Sequence, residues 1–385
     1  MRLDHLLLPL AAALVLAGCV TAPVSPEKPQ TGTLVYEAVE FEAIPNIQTV
    51  DFAPTLAAFK RSCVSLKLRK GWKDVCAKAL AVKEEGAGSF FTDNFRPWRL
   101  QVRTEGKDGT VETADTGLMT GYYEPLLYGS RVKTGVYRIP LLSVPEDLIT
   151  VDLAGLYPQL EGLRLRGRLE GQKLVPYASR QQITASDMDK WAIAWVEDPV
   201  AAFFLQVQGS GRVILPDGSY MRLGYADTNG HPYKAIGRYL VTKGYIAEHE
   251  LSMQNIKAWA KKHPSRVKEL LNQNPSYIFF TERQASSFDE GPVGAQGVPL
   301  TALGSVAVDK SFVALGTPLI VDVVQDNPRM AFTRGVVAQD TGGAIRGGLR
   351  FDYFWGFGDA AGEIAGRQKS AVRAWMLMPK GMTPR

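Results

Sequence analysis

Ala338-Gln-Asp340-Thr-Gly-Gly-Ala-Ile-Arg346-Gly-Gly-Leu-Arg350-Phe-Asp352-Tyr-Phe-Trp-Gly356 gathers two aspartates, two arginines and a run of glycines in one short stretch. Glycines let backbone approach a ligand closely, and clustered carboxylates can be driven apart in pKa for acid/base work. Asp340-Thr-Gly-Gly suits a tight turn, and a turn role is the plainer reading of Asp340 taken by itself. Asp352 is different. It follows Phe351 and precedes Tyr353-Phe-Trp355, a strand-like aromatic run in which a carboxylate is out of place unless it is used.

Outward from this stretch, the chain alternates short strands with turns. From about Trp98 to Leu223, apolar and β-branched runs such as Leu118-Met-Thr-Gly-Tyr-Tyr, Val136-Tyr-Arg-Ile-Pro-Leu and Phe203-Phe-Leu-Gln-Val-Gln lie between Gly, Pro and Asp turns. Pro216-Asp217-Gly218 predicts a hairpin. Strands return from Tyr277 through Leu319-Ile-Val-Asp-Val and Gly335-Val-Val-Ala to Ala374-Trp-Met-Leu. Helices are expected over Asn46–Val82, where Leu56, Phe59, Cys63 and Leu66 recur at helical spacing, and between Tyr233 and Leu271. One more is expected over Ser186–Ala194, capped by Ser186, with Met188, Trp191 and Trp195 on one face. Many short strands without regular βαβ alternation point to barrels within a mainly β, α+β chain.

The N-terminus sets the compartment. Arg2 opens a short apolar segment, Leu6 to Leu16, of signal-peptide length and too short to span a bilayer. It ends in Leu16-Ala17-Gly18-Cys19, similar to a lipoprotein signal. That resemblance implies cleavage before Cys19 and acylation of its thiol and new amino group. Val20 follows where an inner-membrane retention aspartate would stand, so the periplasmic face of the Gram-negative outer membrane is expected. Residues 20–45 read as a tether, its first part rich in proline.

About 350 residues then remain, enough for two domains. The 385-residue chain is 45% hydrophobic and 22% charged, ordinary globular values, and its net charge of +5 comes with no dense basic run. Nucleic-acid binding therefore has no support. Cys63 and Cys76 could form one disulfide in an oxidising periplasm or stay as two buried thiols, which spacing does not decide.

Several chemistries fall away. The four histidines are scattered, with no HExxH or Cys/His cluster for zinc. There is no P-loop lysine. Gly356-Phe-Gly358-Asp-Ala-Ala361 leaves no room behind it for a Rossmann unit. No metal or cofactor is expected.

Thr120-Gly-Tyr-Tyr-Glu-Pro125, Gln206-Val-Gln208-Gly-Ser-Gly211, Gly237-Arg-Tyr239, Asn274-Pro-Ser-Tyr-Ile-Phe-Phe280, Gly291-Pro-Val-Gly-Ala295 and Leu303-Gly-Ser-Val-Ala-Val-Asp309 run in order ahead of the opening stretch. With it they resemble the membrane-bound lytic murein transglycosylase A family over nearly all of the mature chain. The C-terminal part resembles the module named for three aspartates, here Asp309, Asp340 and Asp352. The resemblance implies a double-psi β-barrel from 46–125 and 285–378, a second barrel inserted at 126–284, and a groove between them for a peptidoglycan glycan strand. It implies non-hydrolytic cleavage of the β-1,4 bond between N-acetylmuramic acid and N-acetylglucosamine, leaving a 1,6-anhydro end. Asp352 is then the single acid/base, Asp340 the runner-up for that role and more readily its support, and Asp309 structural. Gly121, Tyr122, Tyr123, Gln206, Gln208 and Gly209 would line the groove, by sugar stacking and by hydrogen bonds to hydroxyl and acetamido groups. Arg346 or Arg350 would meet substrate carboxylates. An inverting hydrolase using Asp340 or Glu124 as base, and a non-catalytic glycan-binding lipoprotein, are the rival readings.

Overall fold

The computed structural model describes residues 32–384 except 107, 161, 162, 164, 285 and 286. The signal segment and Cys19 lie outside the described residues. Six strands close into a barrel: Gly117–Glu124, Arg350–Phe357, Ser305–Val308, Met330–Asp340, Pro318–Gln325 and Lys369–Pro379, the last pairing back onto the first. Two of its pairs are parallel, Gly117–Glu124 with Arg350–Phe357 and Ser305–Val308 with Met330–Asp340. The rest are antiparallel. This is the mainly β architecture expected, with the double-psi barrel's two parallel pairs.

Closure removes the exposed edges and leaves an inside and an outside that alternate along every strand. Val306, Val308, Phe351, Tyr353 and Met119 are buried in the main core. Asp352, between Phe351 and Tyr353, therefore faces outward.

Helix Ala53–Leu66 packs on the barrel, with Leu56, Phe59, Cys63 and Leu66 buried. Gly335 permits that approach, because a Cβ there would stand 2.4 Å from Thr55 Oγ1. Cys63 is bonded to Cys76 of helix Lys73–Ala81, with Cα atoms 5.4 Å apart. The tether expected over 20–45 ends earlier than its composition suggested. Thr33–Ala38 is a strand paired with Phe95–Glu105, and Phe41 and Ile44 are buried in the core. Their apolar side chains gain more from burial than the chain loses in freedom.

A second six-stranded sheet follows Pro125. Its order is Ile278–Arg283, Tyr220–Thr228, Ser210–Ile214, Leu126–Ser130, Ala192–Val196 and Ile139–Leu142. The sheet rolls until its two edges meet, Leu142 sharing a cluster with Phe279. The Pro216-Asp217-Gly218 turn joins Ser210–Ile214 to Tyr220–Thr228 as expected.

Two local readings are corrected. The run Phe203 to Gln208 is not a strand but part of helix Pro199–Gln208. Asp198 caps it by accepting the Val200 N–H at 2.7 Å, Pro199 stands in its first turn, and Gly209 ends it at φ 82°. Phe203 to Gln206 are buried in succession, which leaves little period to separate helix from strand, so these capping residues were the available signal. Likewise Ser186 ends rather than begins a helix. Arg180–Ala185 starts from Ser179, whose N–H donates to Gln182 Oε1 at 2.8 Å, and Ala192–Val196 is a strand.

Candidate active site

Asp352 and Asp340 come together through the barrel ladder. Asp352 is opposite Ala307 on one side and Thr120 on the other. Asp340 is opposite the same Ala307, after a register shift in the parallel pair. Asp340, Ala307, Asp352 and Thr120 thus form one row across four strands, and residues directly opposite share a face. Beside this row, Tyr122, Leu300, Ala307, Ile345 and Phe354 make a small apolar cluster.

The two carboxyls are held differently. Asp340 Oδ1 accepts the Ala295 N–H at 2.9 Å, and Oδ2 accepts the Tyr122 hydroxyl at 3.1 Å. Burial raises its pKa against the pull of those bonds. Asp352 has one protein hydrogen bond among the described residues, from Thr120 Oγ1 to Oδ1 at 2.6 Å. Loss of water pushes its pKa up, the Thr120 bond and Arg350 resist, and the charge of Asp340 adds to the rise, giving about 6 against an ordinary 3.8. The desolvation does not come from Phe351 and Tyr353, since both face the core.

The other expected groove residues divide. Tyr122 is buried, its ring centroid 5.2 Å from that of Phe354, and its phenol is held well above its usual pKa by burial and the two aspartates. Tyr123 is buried as well, with its N–H donating to Gln208 Oε1 at 3.1 Å. Neither ring leaves much face for a sugar; the contact Tyr122 makes at the site is the hydrogen bond to Asp340. Gly121 is a packing glycine, since a Cβ would come within 2.5 Å of Gln368 Oε1 and 2.7 Å of Trp355 Nε1. Gln206 is buried, and its Oε1 accepts Arg180 Nη2 at 2.6 Å. In this structure Gln206 serves the core of the second sheet. Gln208 is half-buried, and Gly209 ends its helix.

Arg350, not Arg346, reaches the carboxyl pair. Its Nη2 donates to Thr120 Oγ1 at 3.0 Å, whereas Arg346 is exposed and its charge acts on Asp309. Asp309 accepts Ser311 Oγ at 2.6 Å and the Gly347 N–H at 2.9 Å, bonds that overcome burial and keep its pKa below the ordinary value. It orders the turn that leads into the Asp352 strand. Glu124 is 1% exposed and clamped between Arg212 Nε at 2.7 Å and Arg222 Nη2 at 3.2 Å. A carboxylate locked between two guanidiniums is not free to activate water. Among the described residues no group of three His, Cys, Asp or Glu side chains could hold a metal. Thr120 was quoted in a motif yet given no role, because only the parallel pairing places it beside Asp352.

Comparison with known proteins gives a consistent assignment. Residues 118–281 match the MltA specific insert domain and residues 304–378 the 3D domain. Membrane-bound lytic murein transglycosylase A of Escherichia coli is 35% identical over 298 residues, covering 74% of this chain and 71% of the relative. The crystal structure of MltA from Neisseria gonorrhoeae is 40% identical with a TM-score of 0.77, covering 94% of this chain and 97% of that one. That of E. coli MltA with bound chitohexaose is 28% identical with a TM-score of 0.65, covering 91% and 96%. The chain belongs to the membrane-bound lytic murein transglycosylase A family and is an enzyme of that class.

Proposed function

We propose that this enzyme cleaves the β-1,4 bond between N-acetylmuramic acid and N-acetylglucosamine without water, with Asp352 as its one acid/base. The observation that carries the reading is a single outward-facing carboxyl whose pKa of about 6 keeps a useful fraction protonated near neutrality, beside a second carboxyl already occupied by two donors. Protonated Asp352 gives its proton to the departing O4 as the C1–O4 bond breaks. The substrate's own C6 hydroxyl attacks C1, and its proton passes to the Asp352 carboxylate, which restores the starting acid. No water and no second carboxylate enter, unlike in an ordinary glycosidase.

The two barrels, 46–125 with 285–378 and the inserted 126–284, are the lobes of the glycan groove in this reading. The chitohexaose held by the E. coli relative supports a β-1,4 glycan as the ligand class. Acylation at Cys19 and residence at the periplasmic face of the outer membrane complete it, supported by the "membrane-bound" name of the relatives. Incubation with peptidoglycan sacculi, followed by mass analysis of released muropeptides, tests the chemistry. Anhydro products, lighter than hydrolytic ones by one water and lost in Asp352→Asn, are expected. Hydrolytic masses would overturn it.

A further inference from the structure

We propose that Thr120, backed by Arg350, is a positioning residue that decides which oxygen of Asp352 carries the catalytic proton and how tightly it is held. The inference rests on the reading of Asp352 as the acid. A guanidinium has donors only, so Arg350 Nη2, 3.0 Å from Thr120 Oγ1, must donate to it. That occupies one lone pair of the hydroxyl. The remaining hydrogen has one acceptor among the described residues, Asp352 Oδ1 at 2.6 Å. Oδ1 is therefore an acceptor in both protonation states. The acidic proton belongs on Oδ2, which takes no bond from a described residue and is not among the sealed, unpartnered side-chain atoms.

Arg350 is itself fixed, its Nη1 donating to the Phe351 carbonyl. Thr120 and Arg350 lie on adjoining parallel strands, where Asp352 pairs with Thr120 and Arg350 with Leu118. Backbone register thus holds the donor chain from both sides. Because hydrogen bonds to the charged form stabilise it, the same chain sets how far burial can raise the acid.

The test uses the full-length chain in detergent. The Asp352 carboxyl is titrated by 13C NMR and the pH dependence of turnover on sacculi is measured. Thr120→Val should raise the NMR midpoint by roughly one pH unit and carry the alkaline limb of activity upward with it. Thr120→Ser should return the midpoint close to the parent's, and Arg350→Met should raise it as Thr120→Val does. Combining Thr120→Val with Arg350→Met should raise the midpoint beyond either alone yet by less than their sum, because the two share the hydrogen-bond chain while the charge of Arg350 also acts on the carboxyl directly. Should Thr120→Val misfold, Thr120→Ala carries the same expectation. An unmoved midpoint in the Val and Ala variants, or equal midpoints for Val and Ser, would overturn the proposal. A shifted midpoint with an unshifted activity limb supports the Thr120 assignment and instead removes Asp352 as the acid.

Discussion

Asp340 and Asp352 flank one residue, Ala307, from the strands on either side of it. Two strand spacings put their backbones about 9–10 Å apart, close enough for one charge to weigh on the other. The charge of Asp340 raises the proton affinity of Asp352, while the oxygens of Asp340 accept from Ala295 and Tyr122. Asp352→Asn should lower turnover by roughly 10²–10⁴-fold at every pH while retaining glycan binding. Asp340→Asn should leave measurable turnover and shift the alkaline limb to lower pH. Steady-state rates on sacculi across pH 4–9 check both.

Asp352 also makes stability depend on pH. Its unfolded value is the ordinary 3.8 and its folded value about 6, so the native state holds the extra proton between them. Stability is unaffected by this group below the lower value and falls as pH rises through the upper one. Asp352→Asn should therefore be more stable than the parent at pH 8, by about 3 kcal/mol, with the difference nearly gone by pH 4. Denaturant melts at the two pH values measure it.

Glu124 ends a strand of the first barrel, while Arg212 and Arg222 belong to the second sheet. Arg212 also lies over the Phe357 ring, 3.7 Å from its centroid. Removing one partner from this buried group leaves charge uncompensated, which costs about 3–5 kcal/mol. Glu124→Ala should lose stability on that scale. If Glu124 were instead a catalytic base, Glu124→Gln would abolish turnover in folded protein while stability held.

The Cys63–Cys76 bond closes a loop with a sequence separation of 13 between two helices that cover the barrel. Replacing both cysteines with serine should lower stability by about 2–4 kcal/mol through the freedom returned to the unfolded chain. Thermal melts of the variant against the oxidised parent, with a reduced parent as control, would show it.

Much of this protein was legible from the chain alone. The strand around Asp352 is marked by Phe351 and Tyr353-Phe354-Trp355, and the helical spacing of Leu56, Phe59, Cys63 and Leu66 marks a buried face. The reading failed at Phe203–Gln208, where four successive buried residues, Phe203 to Gln206, blurred the period and the caps at Asp198 and Gly209 carried the answer. It also assigned Gln206 to the substrate. The amide is polar, but its partner Arg180 lies 26 positions away and reaches it only through the packing of helix against sheet.

Local chemistry, then, was written in order along the sequence: which carboxylate stands in an aromatic strand, where turns fall, which faces are apolar. Those depend on neighbours a few residues apart. What surrounds Asp352 depends on neighbours 12 to 232 residues away, Asp340 nearby in the chain and Thr120 at its far end. Only closure of the barrel brings them into one row. A carboxyl becomes an acid of about 6 by losing water and gaining particular donors, and both are properties of the packed strands rather than of the residue.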